Sequence, residues 1–125
     1  MKYIIRDVES VEHFLSGDCC EIAEVLHPDR IKLPYKGFSV AHAKLHPKKQ
    51  TLLHKLIKST ELYFIIEGVG RIFIDGHEEP LKKGRFVAVP ADTEQYVVND
   101  GDVPLEFLCI VTPEWSAENE KIIGA

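Results

Sequence analysis

Turn residues placed at short intervals between positions 60 and 112 constrain this chain more than any other feature of it. Gly68-Val69-Gly70, Asp75-Gly76, Lys83-Gly84, Pro90 and Asn99-Asp100-Gly101-Asp102 mark the turns, and the runs between them have strand character. The segment from Glu61 to Glu67 is rich in β-branched and aromatic residues, which suit a pleated, half-buried surface. Arg71 to Ile74 predicts the return strand, closed by Asp75-Gly76, a strong short hairpin signal. Lys83-Gly84 leads into Arg85 to Val89, and Pro90 ends that strand because proline donates nothing to a ladder. Glu94 to Val98 and the mostly apolar Val103 to Val111 complete the series. Upstream, Leu52 to Ile57, Phe38 to His46 and Cys20 to Leu26 read as further strands. Val8 to Leu15 reads as a short helix or an irregular arm, and residues 29 to 36 as a proline-flanked loop. Thr112-Pro113 stops the sheet. Beyond it, Ser116 with Glu118 and Glu120 predicts a short C-terminal helix, since acids suit a first helical turn.

A chain of 125 residues supports one core and is too short for two. Its 45% apolar content and lack of low-complexity runs predict a fully folded protein. A net charge of −5 argues against nucleic acid as a partner, because phosphate contacts need a basic face. Lys48-Lys49 and Lys82-Lys83 read as solvated turn charges. No apolar stretch approaches a membrane span, and Met1 to Arg6 is too short and too soon charged for a signal peptide. A cytoplasmic location is the expectation. Cys19, Cys20 and Cys109 are expected to be free thiols there. Cys109 reads first as a small buried hydrophobe and second as a thiol lining a pocket.

Strand alternation puts every second residue on one face. His54 therefore points with Leu56, Glu61 with Tyr63 and Ile65, and Gln95 with Val97 and Asn99. These residues resemble the cupin superfamily. Its first motif has a glycine, two histidines one residue apart, a glutamate and a closing glycine; His54, Glu61 and Gly68 stand at three of those points. Its second has a glycine, a proline, a glycine, a histidine and an asparagine, met here by Gly84, Pro90 and Asn99. Leu56 replaces the second histidine, Asp92 the second glycine and Gln95 the last histidine. The likeness spans roughly residues 37 to 112, leaving an N-terminal arm of 1–36 and a tail of 113–125 around one domain of 1–125. It implies an all-β fold, a double-stranded β-helix or jelly-roll barrel, with a small-molecule pocket. A divalent metal (manganese, iron, zinc or nickel) and a homodimer are implied with it. The runs around His42, His54, Ser59 to Phe64, Gln95-Tyr96 and Phe107 to Cys109 resemble small single-domain bacterial and archaeal cupins.

The candidate site follows from chemistry at these positions. A lone histidine in an apolar strand, as His54 is, is more often a satisfied core residue than a ligand. Glu61 changes the balance, because an unpartnered interior carboxylate is costly or protonated. A divalent cation between His54 and Glu61 would remove that cost; hydrogen bonds to Tyr63, Gln95 or water would also do so. Leu56 offers no lone pair, and Gln95 offers only a neutral amide oxygen. The candidate metal ligands are thus His54, Glu61, Gln95 and, as a substitute, His42, for which an outward orientation is the blander reading. Tyr63, Leu56, Tyr96 and Cys109 are the candidate pocket residues. His13, His27, His46 and His77 sit beside turns or polar residues and read as surface histidines. Two functions are compatible with this set: a metal-dependent enzyme acting on a small sugar-like or carbonyl metabolite, and a non-catalytic module that binds or senses a small ligand.

Overall fold

The computed structural model describes residues 3–31, 34 and 36–124. Among these residues, twelve strands form two sheets. They are β1 (His13–Leu15), β2 (Glu21–Leu26), β3 (Ser39–Leu45), β4 (Lys49–Gln50), β5 (Leu53–Leu56), β6 (Thr60–Glu67), β7 (Val69–Ile74), β8 (His77–Lys82), β9 (Phe86–Val89), β10 (Gln95–Asn99), β11 (Leu105–Thr112) and β12 (Glu120–Gly124). One sheet runs β1-β2-β3-β11-β6-β9 and the other β12-β5-β10-β7-β8, with the short β4 also on β10. All pairings are antiparallel. The architecture is the all-β jelly-roll barrel that the family resemblance implies.

Local chemistry fixes the turns. Gly68 joins β6 to β7 at φ +91°, and a Cβ there would lie 2.5 Å from the Pro104 carbonyl oxygen, so only glycine fits. Asn99 is fully buried at the end of β10. Its amide donates to the Leu45 and Val103 carbonyls at 2.9 and 2.8 Å and accepts from Gly101 N–H, closing the turn into β11. Between the sheets, Leu45, Tyr63, Ile65, Ile72, Leu81, Val89, Val97, Leu105 and Phe107 form the core. Apolar burial on this scale is the main favourable term in folding.

Three expectations change. The residues after Ser116 make only a 3-10 turn, Ala117–Asn119, and then a strand, β12, on the edge of the second sheet. Buried Asn119 decides this: its amide Nδ2 donates to Ser59 Oγ at 2.6 Å, and its backbone carbonyl accepts from Ile57 N–H, which lays the following residues along β5. The arm at Val8 is a 3-10 turn leading into β1. His27 is buried, not on the surface. Its Nδ1 accepts from Asp29 N–H, so Nε2 carries the proton and donates to the Trp115 carbonyl at 2.7 Å.

Candidate functional site

Register alone gathers the first group of side chains. Glu61 and Tyr63 alternate inward along β6, Cys109 stands opposite Tyr63 on β11, and Gln95 stands opposite His54 across β10 and β5. The Gln95 amide Nε2 donates to Glu61 Oε1 at 2.9 Å. Tyr63 Oη donates to Gln95 Oε1 and lies 3.3 Å from Glu61 Oε1. One carboxylate oxygen of Glu61 therefore faces two hydrogen-bonding neighbours. Burial pushes the Glu61 carboxyl up to about 7, against the opposing influence of the nearby His54; an ionised carboxylate is poorly solvated there. Burial likewise raises the Tyr63 hydroxyl and the Cys109 thiol well above their ordinary ranges. Cys109 is thus a thiol rather than a nucleophilic thiolate.

A second group lies beside the first, and most of it was not legible in the sequence. His54, almost fully buried, donates from Nδ1 to the Leu52 carbonyl at 2.7 Å, which leaves Nε2 without that proton in the neutral ring. Nε2 faces Asp18 Oδ2 at 3.5 Å. Asp18 sits in the tight turn between β1 and β2, closed by the Ser16 N–H to Cys20 carbonyl bond and passing through Cys19 at φ 74°. Ser16 Oγ donates to Asp18 Oδ1. The Asp18 carbonyl accepts from Leu52 N–H at 2.8 Å, so one residue, Leu52, orients both Asp18 and His54. Glu120, at the start of β12 opposite Leu56, completes the group: one ligand atom from each of Asp18, His54 and Glu120 lies within 4.8 Å of the others. Burial first, and the Asp18 charge second, raise the Glu120 carboxyl, while His54 and a hydrogen bond from Trp115 oppose them.

Both groups border one cavity of about 100 Å3. Asp18, Glu24, Glu61 and Glu120 bring carboxyls to its wall, with Cys109, Phe14 and Trp115 among the less polar residues. Arg30 neutralises Glu24 at 3.2 Å. His42 and Tyr96 are not part of this site. His42 stands opposite Leu108 on the other face of its sheet from Ala41 and Cys109, with Nε2 3.5 Å from Glu106. Tyr96 alternates with buried Gln95 and stacks on Phe73 at 4.5 Å. Leu56 is buried on the His54 face. Asp18 carried one sequence signal, its place in a Ser-Gly-Asp turn before a strand; Glu120 carried none that separated it from a helix-capping acid.

Comparison with known proteins places this geometry. Residues 41–111 match the family model described as the cupin domain. The chain belongs to the cupin family. An uncharacterised protein of Methanocaldococcus jannaschii is 35% identical over 98% of this cupin and 97% of its own length. An oxalate-binding protein of Thermotoga maritima is 31% identical over 57% of this chain and 59% of its own. Among solved structures, the Streptomyces nucleoside dehydratase Pac13 superposes with a TM-score of 0.78 at 15% identity, covering 99% of this chain and 92% of that one; at that identity the likeness is one of fold. Within the cupin frame, the position shared by His54, Leu56, Glu61 and Gln95 fits a metal poorly. Leu56 has no donor atom, and the Gln95 amide is engaged by Glu61 through Nε2 and by Tyr63 through Oε1.

Proposed function

We propose that this cupin binds a small, uncharged, sugar-like or carbonyl-bearing metabolite in the cavity and that Glu61 exchanges a proton with it. The observation that carries this reading is a buried carboxyl on the cavity wall whose proton affinity lies near neutrality, where a general acid or base works best. Gln95 and Tyr63 would hold the carboxyl in one orientation, and its burial would limit competition from water for the proton. Charge narrows the ligand class. With no metal ion bound, an oxalate dianion, the ligand named for the Thermotoga maritima relative, would meet Asp18, Glu61 and Glu120 with no cationic side chain among the described cavity residues to receive it. A neutral ligand avoids that repulsion.

The test is proton NMR of small aldoses and ketoses in deuterium oxide with wild-type protein and Glu61→Gln. Loss of the signal alpha to the carbonyl with wild type alone is expected; equal behaviour of the two proteins would remove Glu61 from the chemistry. A second reading, a non-catalytic binding or sensing module, is favoured by the engagement of Glu61 Oε1 by Gln95 and Tyr63. It predicts ligand-dependent thermal stabilisation without exchange.

The assembly expected from the family resemblance finds a surface to support it. Ala88, Leu62 and Ile110 fall in one row across β9, β6 and β11, and Phe86, Phe64 and Leu108 in the next. Both rows lie on the sheet face opposite the cavity. Phe86 is 72% exposed. We propose that a second copy of the chain packs on this face.

A further inference from the structure

We propose a divalent-metal site outside the family's usual position, formed by His54 Nε2 with the carboxylates of Asp18 and Glu120. Glu61 is not a ligand in it, and the proposal does not rest on the proton-transfer role given to Glu61.

Three observations support it. The first is a mismatch of lone pairs. With its Nδ1 proton committed to the Leu52 carbonyl, neutral His54 aims an unprotonated nitrogen at a carboxylate oxygen 3.5 Å away. Two acceptors do not attract each other, so that approach is favourable only with a proton, on the ring or on a carboxyl, or with a metal ion between them. The second is orientation. A ligating histidine is typically held by a hydrogen bond from its other nitrogen to a carbonyl or carboxylate. Leu52 supplies that bond through its carbonyl and, through its N–H, fixes the turn carrying Asp18. Ser16 Oγ then occupies Asp18 Oδ1, leaving Oδ2 toward the ring. The third is convergence. The ligands come from a hairpin turn of one sheet and from two adjacent strands of the other, so their approach within 4.8 Å is a result of the fold rather than of neighbouring sequence.

One imidazole nitrogen with two carboxylate oxygens suits Mn2+, Fe2+ or Zn2+, since nitrogen disfavours Mg2+ and Ca2+ and the absence of thiolate disfavours Cu+. Three protein ligands leave coordination positions open. Asp18 and Glu120 both line the cavity, so an oxygen-bearing ligand bound there could reach the ion. The cupin frame thus keeps its first histidine and exchanges the remaining ligands for a turn aspartate and a C-terminal strand glutamate.

The experiment is calorimetric titration of tag-free, chelator-stripped protein with Mn2+ and with Zn2+, for wild type, Asp18→Asn, Glu120→Gln and Glu61→Gln. One saturating equivalent is expected in wild type. The Asp18 and Glu120 variants should bind about tenfold more weakly or worse, on the scale expected for loss of a ligand or its support, while Glu61→Gln should retain binding. Mn2+ broadening of proton NMR signals needs no variant: the His54 ring resonances should broaden ahead of those of exposed His13 and His77. No saturable binding of either ion would overturn the site and leave His54 as a protonated partner of Asp18. Loss of binding in Glu61→Gln equal to that in Asp18→Asn would overturn it in favour of the usual position.

Discussion

Glu61 holds its proton more tightly in the folded chain than a free glutamate does, from an ordinary 4.5 up to about 7. Between those values the folded state binds more protons than the unfolded one, so stability declines as pH rises through that window and levels off above it. The difference corresponds to about 2–4 kcal/mol. Glu61→Gln has nothing to ionise and can keep a hydrogen bond to Gln95 or Tyr63. Urea unfolding at pH 4.5, 6 and 8 should show the fall for wild type and a much flatter profile for the variant. A wild-type profile that rises with pH over that range would contradict the buried, neutral carboxyl. The same residue shows why the sequence is an incomplete guide to the site. Alternation correctly turned Glu61, Tyr63 and Gln95 to the interior, but whether Gln95 faces a metal or a carboxylate depends on the rotamers of three side chains, which no spacing encodes.

At the level of strands and turns, Gly68 and Asn119 are the points at which substitution should be felt most. Gly68→Ala combines a positive φ with a Cβ placed against the Pro104 carbonyl. It should cost about 2–4 kcal/mol, read as a lowered urea midpoint with unchanged slope. Asn119→Ala leaves Lys58 N–H without its partner and Ser59 Oγ with only the Pro113 carbonyl, about 1–3 kcal/mol for buried polar groups. Because Asn119 precedes Glu120, this variant should also weaken metal binding while sparing the Glu61 cluster. A variant destabilised as expected but with wild-type Mn2+ affinity would separate β12 from the site. Strands β6, β7, β9, β10 and β11 were legible because apolar alternation and glycine or proline turns coincide there. β8 and β12 were not. The first is a polar, exposed edge, His77–Lys82, marked in the sequence only by the turns at its two ends. The second follows acids that serve a helix start equally well, and only the contact between Asn119 and Ser59, sixty residues apart, decides between them. His27 was placed on the surface for a related reason: its partner carbonyl, Trp115, is 88 residues away.

For the molecule as a whole, none of the helices among the described residues is long and apolar enough to cross a membrane. Strands β2 and β5 are each paired on both sides, so neither offers an open edge for exchange with a second copy. The apolar rows through Phe86 and Leu108 remain the better surface. Light scattering should give twice the chain mass of 14.2 kDa, and Phe86→Lys with Leu108→Lys should return it to the monomer value without loss of the β-sheet circular dichroism signal. A monomer at micromolar concentration for the wild type would exclude this assembly. The Leu52 amide has a further consequence, one of time rather than geometry. Its proton is held by the Asp18 carbonyl, which belongs to the hairpin of the opposite sheet, so it can exchange with solvent only when the sheets part at that seam. Leu52 is therefore a built-in clock for breathing of the seam at Asp18, and whatever occupies the cavity that Asp18 lines should make that clock run slow.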